Sequence, residues 1–444
     1  METGGGRSFW LETTDTPPVR PRAEGRVPAD IAVIGAGFAG LSSAYHIKRL
    51  AGGARVVVLE GETVGHGASG RNGGFSMTLF GASLAVTYLL HGLARTREAY
   101  EYMVDAVEYV DRLVRDLGLQ CDYERSGFLR AATTAGYLKR IRHEMELATR
   151  IGLPGVEWWD RDTTQQAVHS PLFLGGWWEP RSALLHPAKF VRELQRIAEQ
   201  SGVTVYEQSP VLEITRTPRG FELRTPGATI AAEKVVFATN AWSHQLAPIA
   251  RRQIPAWTYI IATEPLAPDV WQSLGWSRRM GIEDARNLLH YFRPSPDGRI
   301  LMGGGPIILG YGRQMAYDHT PRAFRHLEEF LGRVFPQLRG VGIEYRWGGP
   351  FSVTLDLVPA IGYAAGRNAV YMLGCIGHGV SLMPSNGRIA ADLILERTSP
   401  LTELWFVNRR LPGWPVEPVR RLISSAVRGV LSVEDAWHER RGLG

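Results

Sequence analysis

The segment from Ile31 to Phe75 constrains the fold of this chain more than any other. It begins with the apolar, strand-like run 31–34, continues with the glycine turn 35–40 and a helical pattern, and ends with the apolar run 56–59 before Glu60. A strand, a glycine turn, a helix and a second strand followed by an acid are the parts of a dinucleotide-binding βαβ unit. The order predicts a Rossmann-type domain. The alternative is a glycine turn that serves packing alone.

The glycines of this unit have separate roles. Gly35 permits the tight turn, Gly37 lets a pyrophosphate approach the backbone, and Gly40 lets the helix lie against the sheet, while free N–H groups at the helix start face the phosphates. Glu60 lies about 20 residues beyond the turn, where an acid binds ribose hydroxyls and repels the 2′-phosphate of NADP. From this unit we predict cofactor contacts by Gly35, Ala36, Gly37, Phe38, Ala39, Gly40, Glu60 and Gly61.

A second glycine-rich loop, 65–75, follows the unit and carries a single cation, Arg71. Backbone N–H groups of such a loop can wrap a long ligand, with the cation near a phosphate. The stretch 68–74 resembles the second FAD loop of the D-amino-acid-oxidase-like flavoproteins, and among them most resembles the γ-glutamylputrescine oxidase branch. From this loop we predict contacts by Gly67, Ala68, Ser69, Gly70, Arg71, Asn72, Gly73 and Gly74.

A second strand, glycine turn and helix lies near the C-terminus, at 369–395. N–H groups at that helix start can face the electron-rich edge of a flavin. The segment resembles the closing turn of the same family, so the resemblance covers about residues 30–397. Together with the small residues after the strand 234–239, it implies cofactor contacts by Val211, Thr239, Asn240, Gly374, Gly377, His378, Gly379 and Val380.

The resemblance implies an α/β fold: a Rossmann-type FAD-binding domain, discontinuous in sequence, with a mixed-sheet α+β substrate lobe. The length of 444 residues is sufficient for both. We expect an N-terminal arm at 1–29 and a C-terminal tail with an amphipathic helix at 401–444. The FAD-binding domain is expected at 30–75, 186–249 and 348–400, and the substrate lobe at 76–185 and 250–347.

The implied activity is oxidation of a C–N bond of an amine or amino acid to an imine, by hydride transfer to flavin N5. Arg can clamp a carboxylate through two N–H groups, so Arg293 and Arg346 are candidates for a substrate carboxylate, with surface ion pairing as the alternative. His378 is a candidate for proton transfer, although its backbone between two glycines is the more important feature. Further candidates for lining the pocket are Tyr259, His290 and Tyr291.

Two other functions remain open. The chain can be a non-catalytic FAD-binding subunit, or a dehydrogenase that passes electrons to an acceptor other than oxygen. In sarcosine-oxidase-like relatives a lysine near the flavin speeds the reaction with oxygen; Leu301 or Met302 takes that place here, and Arg293, Arg346 or a protonated His378 would have to substitute. The neighbourhood 345–349 lacks the cysteine that attaches flavin in those relatives, so we expect non-covalent FAD, with His66 as the one plausible attachment point in its loop.

Composition excludes several classes. The net charge of +6 comes mostly from arginine, without basic runs interleaved with aromatics, so nucleic-acid binding is not expected. The two cysteines, Cys121 and Cys375, form no metal-binding motif and favour a reducing, cytoplasmic location. Neither a signal peptide nor a long uncharged apolar run is apparent. The amphipathic stretch 415–431 can lie on a membrane, but packing on the FAD-binding domain is the expected arrangement.

Overall fold

The computed structural model describes residues 8–15, 18–153, 155–364 and 366–442. The strands are β1 (Gly25–Ile34), β2 (Val56–Leu59), β3 (Phe75–Ser76), β4 (Phe128–Ala131), β5 (Glu157–Trp159), β6 (Gly176–Glu179), β7 (Ala183–Leu184), β8 (Thr204–Tyr206), β9 (Glu213–Thr217), β10 (Gly220–Arg224), β11 (Ala228–Phe237), β12 (Ile254–Thr263), β13 (Gly281–Asp284), β14 (His290–Pro294), β15 (Ile300–Leu309), β16 (Ile343–Val353), β17 (Ala360–Tyr363) and β18 (Ala369–Leu373). The helices are α1 (Phe9–Glu12), α2 (Phe38–Leu50), α3 (Leu84–Asp116), α4 (Ala135–Arg150), α5 (Arg161–Ala167), α6 (Pro187–Gln200), α7 (Pro268–Leu274), α8 (Pro321–Val334), α9 (Gly379–Ile394) and α10 (Val419–Gly442).

The first sheet has the strand order β17-β18-β11-β1-β2-β8, and the hairpin β9–β10 extends from β11. β1 runs parallel to both β2 and β11. All four residues of β2 are buried, as expected for a parallel strand covered on both faces. Helix α2 packs against α6 and α9 over this sheet. These elements form the Rossmann-type half of the α/β fold that the sequence predicts.

The second sheet has the order β16-β12-β15-β14-β13-β4-β6-β5. It is mixed, since β13 pairs parallel with β4 and antiparallel with β14. Side chains alternate between its two faces. One face packs on α8, where Tyr259 and Ile261 share a core with Phe324. The opposite face turns towards the first sheet and presents Thr258 and Ile260.

Helix α3 differs from the expected division of the chain. Its sequence falls in the stretch 76–185, which was expected to belong to the substrate lobe. In the structure, Met103 and Val110 pack in the same core as Ile389 of α9, and the Tyr102 hydroxyl donates to Asn386 Oδ1 at 2.6 Å. The helix therefore belongs to the first sheet's helical layer. A long amphipathic helix can pack on either half of the molecule, so the hydrophobic pattern of α3 does not show to which half it belongs.

The two ends of the chain both pack beside the second sheet. In α1, Phe9 and Trp10 are buried in a cluster with Trp347. Among the described residues, helix α10 makes its main contacts with α4 and β15, which corrects the expected packing on the FAD-binding domain. Within the described ranges, no helix is long and apolar enough to cross a membrane.

Candidate functional site

One cavity of about 850 Å³ runs between the two sheets. The glycine turn after β1 lines one end of it, and strands β13 and β14 line the other. Its volume lies within the range of about 300–1,000 Å³ that is usual for ligand and cofactor sites. We call the end at the glycine turn the dinucleotide end and the end at β13 and β14 the substrate end.

The backbone at the dinucleotide end leaves no room for side chains. A Cβ on Gly35, whose φ is +103°, would lie 2.7 Å from Ala238 O; a Cβ on Gly37 would lie 2.8 Å from Ser69 Oγ; and one on Gly40 would lie 1.9 Å from Gly35 O. The contacts with backbone oxygens require glycine at positions 35 and 40, and a Cβ at position 37 would displace the Ser69 hydroxyl. The turn, the start of α2 and the second loop therefore form a cradle that can admit a pyrophosphate to the backbone, which fits FAD.

Glu60 closes this end at the tip of β2. Its Oε2 accepts the N–H of Ala36 at 2.8 Å, and its Oε1 accepts the N–H of Glu62 at 3.1 Å. Burial is the main cause of the raised pKa of this carboxyl. Glu60 also lines the cavity, so its oxygens are fixed by the turn and available to ribose hydroxyls.

The second loop is tied to its surroundings at both ends. Ser69 Oγ accepts the N–H of Phe38 at 3.0 Å, which joins the loop to the start of α2. Arg71 lines the cavity, but its Nη1 lies 2.5 Å from Asp318 Oδ2 and its Nε donates to His66 O at 2.8 Å. Its charge is therefore compensated by protein groups, which weakens the expectation that it neutralises a phosphate.

The closing turn places the start of α9 at the cavity. Gly377 has a φ of +87°, His378 precedes α9, and the helix begins at Gly379. The first N–H groups of a helix have no partners within it and carry partial positive charge. They can face the electron-rich edge of a flavin.

Most of the predicted cofactor residues line the cavity, and a minority support it from behind. Ala36, Gly40, Gly70, Gly74 and Gly374 do not reach the cavity wall. Those that line it are Gly35, Gly37, Phe38, Ala39, Glu60, Gly61, Gly67, Ala68, Ser69, Arg71, Asn72, Gly73, Val211, Thr239, Asn240, Gly377, His378, Gly379 and Val380.

His378 lines the cavity directly before α9. Its Nδ1 is buried and has no hydrogen-bond partner among the described residues. Burial, with a smaller contribution from the nearby Arg130, lowers the pKa of His378 to about 4. The imidazole is therefore neutral at pH 7. This contradicts the expectation that a protonated His378 supplies a cation.

Tyr291 lines the substrate end as predicted, but Arg293 does not reach it. Arg293 Nη1 donates to the carbonyls of Gly73, Gly74 and Leu185 at 3.0, 3.3 and 2.8 Å. Burial lowers the pKa of Arg293 to about 9. The guanidinium ties the second loop to the lobe, so the expectation of a carboxylate clamp is wrong for this residue.

Tyr259 and Arg346 lie on the wrong face of the second sheet. The Tyr259 hydroxyl donates to Tyr317 O at 2.8 Å, inside the core shared with α8. Arg346 is exposed, and its Nε lies 2.7 Å from Glu328 on α8. Neither reaches the cavity, because the residues that do so in β12 are the neighbours of Tyr259 on the opposite face.

His290 is buried outside the cavity. Its Nδ1 lies 2.9 Å from Asp284 Oδ2, and its Nε2 lies 2.9 Å from His326 Nε2. The three side chains form a polar cluster beside α8. The expectation that His290 lines the pocket is therefore wrong.

Two features of the substrate end were not predicted. Glu283 of β13 lines it, in register with Tyr291 of β14. Helix α10 contributes Ile423, Val427 and Leu431 to the wall. The alternation of β13 could have indicated Glu283 only once the inward face was known, and the amphipathic pattern of α10 does not reveal what the helix covers.

Comparison with known proteins shows the family to which this chain belongs. A family model described as FAD-dependent oxidoreductase, DAO, matches residues 30–393. The chain belongs to the DAO family of FAD-dependent oxidoreductases, and FAD is its cofactor. It is 32% identical over 370 residues to the γ-glutamylputrescine oxidoreductase of Escherichia coli strain K12, covering 83% of this chain and 84% of the relative. It is 31% identical over 372 residues to a probable oxidoreductase, OrdL, of Haemophilus influenzae, covering 83% of each.

The DAO fold is also seen in solved structures. Glycine oxidase from Geobacillus kaustophilus superposes with a TM-score of 0.73 at 20% identity, covering 87% of this chain and all of that one. The agreement confirms the expected fold class. Helix α10 lies beyond the residues that the family model matches, although it contributes to the cavity wall.

Proposed function

We propose that this DAO-family oxidoreductase oxidises a carbon–nitrogen bond of a small amine or amino acid to an imine. The observation that carries the proposal is the single cavity that joins the dinucleotide end to Tyr291 and Glu283. The relatives support it, because those with specific names include a γ-glutamylputrescine oxidoreductase and a glycine oxidase. A non-catalytic FAD-binding subunit would have no need for a cavity that continues past the cofactor.

The residues of this chain hold and orient the reactants. We propose that the glycine turn and Glu60 hold the dinucleotide, and that the N–H groups at the start of α9 face the flavin. FAD, when bound, accepts the hydride from the carbon next to nitrogen. Residues of the second sheet and of α10 line the substrate end. Position and a neutral amine matter more to such a transfer than a strong base does, and the neutral His378 agrees with this.

The test is anaerobic bleaching of the flavin. Purified holoenzyme is mixed without oxygen with a panel of amines and amino acids, and the visible flavin absorbance is followed. At least one small amine or amino acid should bleach it. If dithionite reduces the flavin but no compound of the panel does, the proposed substrate class is wrong.

We further propose non-covalent FAD and an electron acceptor other than oxygen. His66 lines the cavity, so acid precipitation must show whether colour stays in the pellet, which would contradict non-covalent binding. Three groups could replace the lysine that speeds the oxygen reaction in sarcosine-oxidase-like relatives. Arg293 is enclosed by carbonyls, Arg346 is exposed on the face of the second sheet away from the cavity, and His378 is neutral. Stopped-flow mixing of reduced enzyme with air-saturated buffer should show slow reoxidation. Reoxidation at the rate of a typical flavin oxidase would contradict it.

A further inference from the structure

A buried carboxylate without a hydrogen-bond partner faces the substrate end of the cavity. Glu283 is 4% exposed, yet the residue lines the cavity wall, and it also lines a smaller pocket next to Arg130 and Glu144. Its carboxylate accepts no hydrogen bond from residues 8–15, 18–153, 155–364 or 366–442, and the closest cation is Arg130, whose Nε lies 3.6 Å away. A buried charge is normally hydrogen-bonded or paired, so this carboxylate lacks N–H donors.

Strand pairing places Glu283 on the same sheet face as Tyr291, the residue that contacts the second FAD loop. In register, Arg130 of β4 lies opposite Glu283, and Glu283 lies opposite Tyr291 of β14. Residues opposite each other on adjacent strands share one face and have Cβ atoms about 5 Å apart. Tyr291 extends to the backbone of Gly73, since a Cβ there would lie 2.9 Å from its ring. Glu283 is therefore one strand away from the residue that contacts the second FAD loop.

The charges around Glu283 leave one negative charge uncompensated. Arg130 is shared, because it also forms an ion pair with the buried Glu144 of α4. Asp284, the next residue of β13, points to the other face and is paired with His290 and Arg286. Burial raises the pKa of Glu283 to about 7, Arg130 opposes this, and Asp284 and Glu144 add to it.

We propose that Glu283 binds the ammonium group of the substrate, so that the cavity selects amines over α-amino acids. The inference rests on the proposed amine or amino-acid oxidation and decides between its two substrate classes. An ammonium group supplies both the positive charge and the N–H donors that the carboxylate lacks. Before hydride transfer, one ammonium proton passes to the Glu283 carboxylate, which leaves the neutral amine that the transfer needs. A carboxylate on the carbon next to that nitrogen would be placed beside Glu283 and repelled.

The other arginines that line the cavity are Arg71, Arg313 and Arg428. Arg71 is bound to Asp318, and Arg428 of α10 donates to Ile307 O at 3.2 Å. Arg313 lies in the segment after β15. None of the three forms an ion pair with Glu283 in the described chain.

The test uses two ligands that differ only in the α-carboxylate, pentan-1-amine and 2-aminohexanoate. Their dissociation constants are measured on anaerobic holoenzyme by perturbation of the flavin spectrum, and on enzyme with dithionite-reduced flavin by calorimetry. Wild type should bind the amine at least about tenfold more tightly, which corresponds to one charge-assisted hydrogen bond. Glu283→Gln should weaken amine binding by about tenfold or more and remove the preference, with unchanged FAD content. Glu328→Gln, which removes an exposed carboxylate on the far face, is the matched control and should change neither constant.

The pH dependence of wild type gives a test that needs no variant. Because the pKa of Glu283 is near 7, the fraction of ionised carboxylate rises between about pH 6 and about pH 8, and amine affinity should rise with it while the amine stays protonated. Equal affinity for the two ligands, an unchanged preference in Glu283→Gln, or amine affinity that does not vary with pH would overturn the assignment. Failure of the proposed function is separate: amine binding that depends on Glu283 without flavin bleaching would contradict the reaction and leave the ammonium site in place.

Discussion

The two ends of the cavity differ in the parts of the chain that form their walls. At the dinucleotide end the wall is built around glycine turns, where an added Cβ on Gly37 or Gly40 would lie within 3 Å of protein atoms. At the substrate end the wall is formed by residues of β13 and β14, which follow each other in the sequence, and of α10, which lies far downstream. The first end can hold the same cofactor only if the chain keeps its path. The second end can change its ligand by replacing side chains while the sheet stays the same.

The largest expected effect is at the dinucleotide end. Gly37→Val should reduce bound FAD by at least about a hundredfold, because the side chain would occupy the space next to Ser69 Oγ where the pyrophosphate approaches. Flavin released by denaturation, relative to protein, measures this. Gly53→Val is the matched control, since a Cβ at Gly53 meets no atom within 4 Å. Equal flavin content in the two variants would show that the turn does not hold the cofactor.

The next effect concerns the attachment of α10 to the substrate end. Asp435 is buried, and its carboxylate accepts the N–H groups of Asn287 and Leu288 at 2.9 and 3.0 Å and the Tyr137 hydroxyl at 3.0 Å. Asp435→Ala leaves these donors unpaired and should lower the free energy of unfolding by about 3 kcal/mol. Limited proteolysis should then cleave α10 while FAD remains bound. Glu434→Ala removes a partly exposed ion pair with Arg140 and an exposed hydrogen bond from Asn287 Nδ2, and it should lower the free energy of unfolding by less than about 1 kcal/mol. Loss of FAD in Asp435→Ala would contradict the independence of the two ends.

Arg293 connects the two ends, so its replacement tests whether it acts on structure or on substrate. Arg293→Gln leaves the carbonyls of Gly73, Gly74 and Leu185 with fewer donors and should lower the free energy of unfolding by about 2–3 kcal/mol. FAD should dissociate more readily, and the KM for the amine should not change. A selective rise in KM at normal FAD affinity would restore the carboxylate clamp that the sequence predicted.

His378 should make the protein sensitive to acid. Its pKa is about 4 in the folded protein and about 6.5 in the unfolded chain. The unfolded state therefore binds more protons between these values, and stability falls as the pH is lowered through this window. At about pH 5 the loss from this residue is about 2 kcal/mol, and His378→Gln should remove it. Denaturant unfolding at pH 7 and pH 5 measures the difference. Identical pH dependence in variant and wild type would mean that the imidazole is not buried neutral.

The smallest effect is expected at Arg346. Arg346→Ala removes an exposed ion pair with Glu328, so stability should change by less than about 0.5 kcal/mol and the KM for the amine should stay the same. Steady-state kinetics and thermal unfolding check both. A several-fold rise in KM would place this side chain at the substrate end after all.

The same contrast explains what the sequence could predict. The turn at 35–40, the strand 369–373 and the helix after it depend on spacing within short segments, and the structure has them there. The face of β12 did not follow from its sequence, because Tyr259 and Ile260 are both bulky and apolar and point in opposite directions. Glu283 and Asp284 show the same limit, since adjacent acids in one strand face the cavity and the α8 cluster respectively. Only the packing of the two sheets decides which of them meets the substrate.

Anaerobic titration of wild-type holoenzyme with pentan-1-amine and 2-aminohexanoate, followed by visible flavin absorbance, tests the central claim most directly. The claim is that FAD held by the dinucleotide end of the cavity is reduced by an amine that Glu283 binds at the substrate end. The account predicts that the amine bleaches the flavin and that the amino acid does so only at concentrations at least about tenfold higher. Bleaching by 2-aminohexanoate at equal or lower concentration than the amine would contradict it.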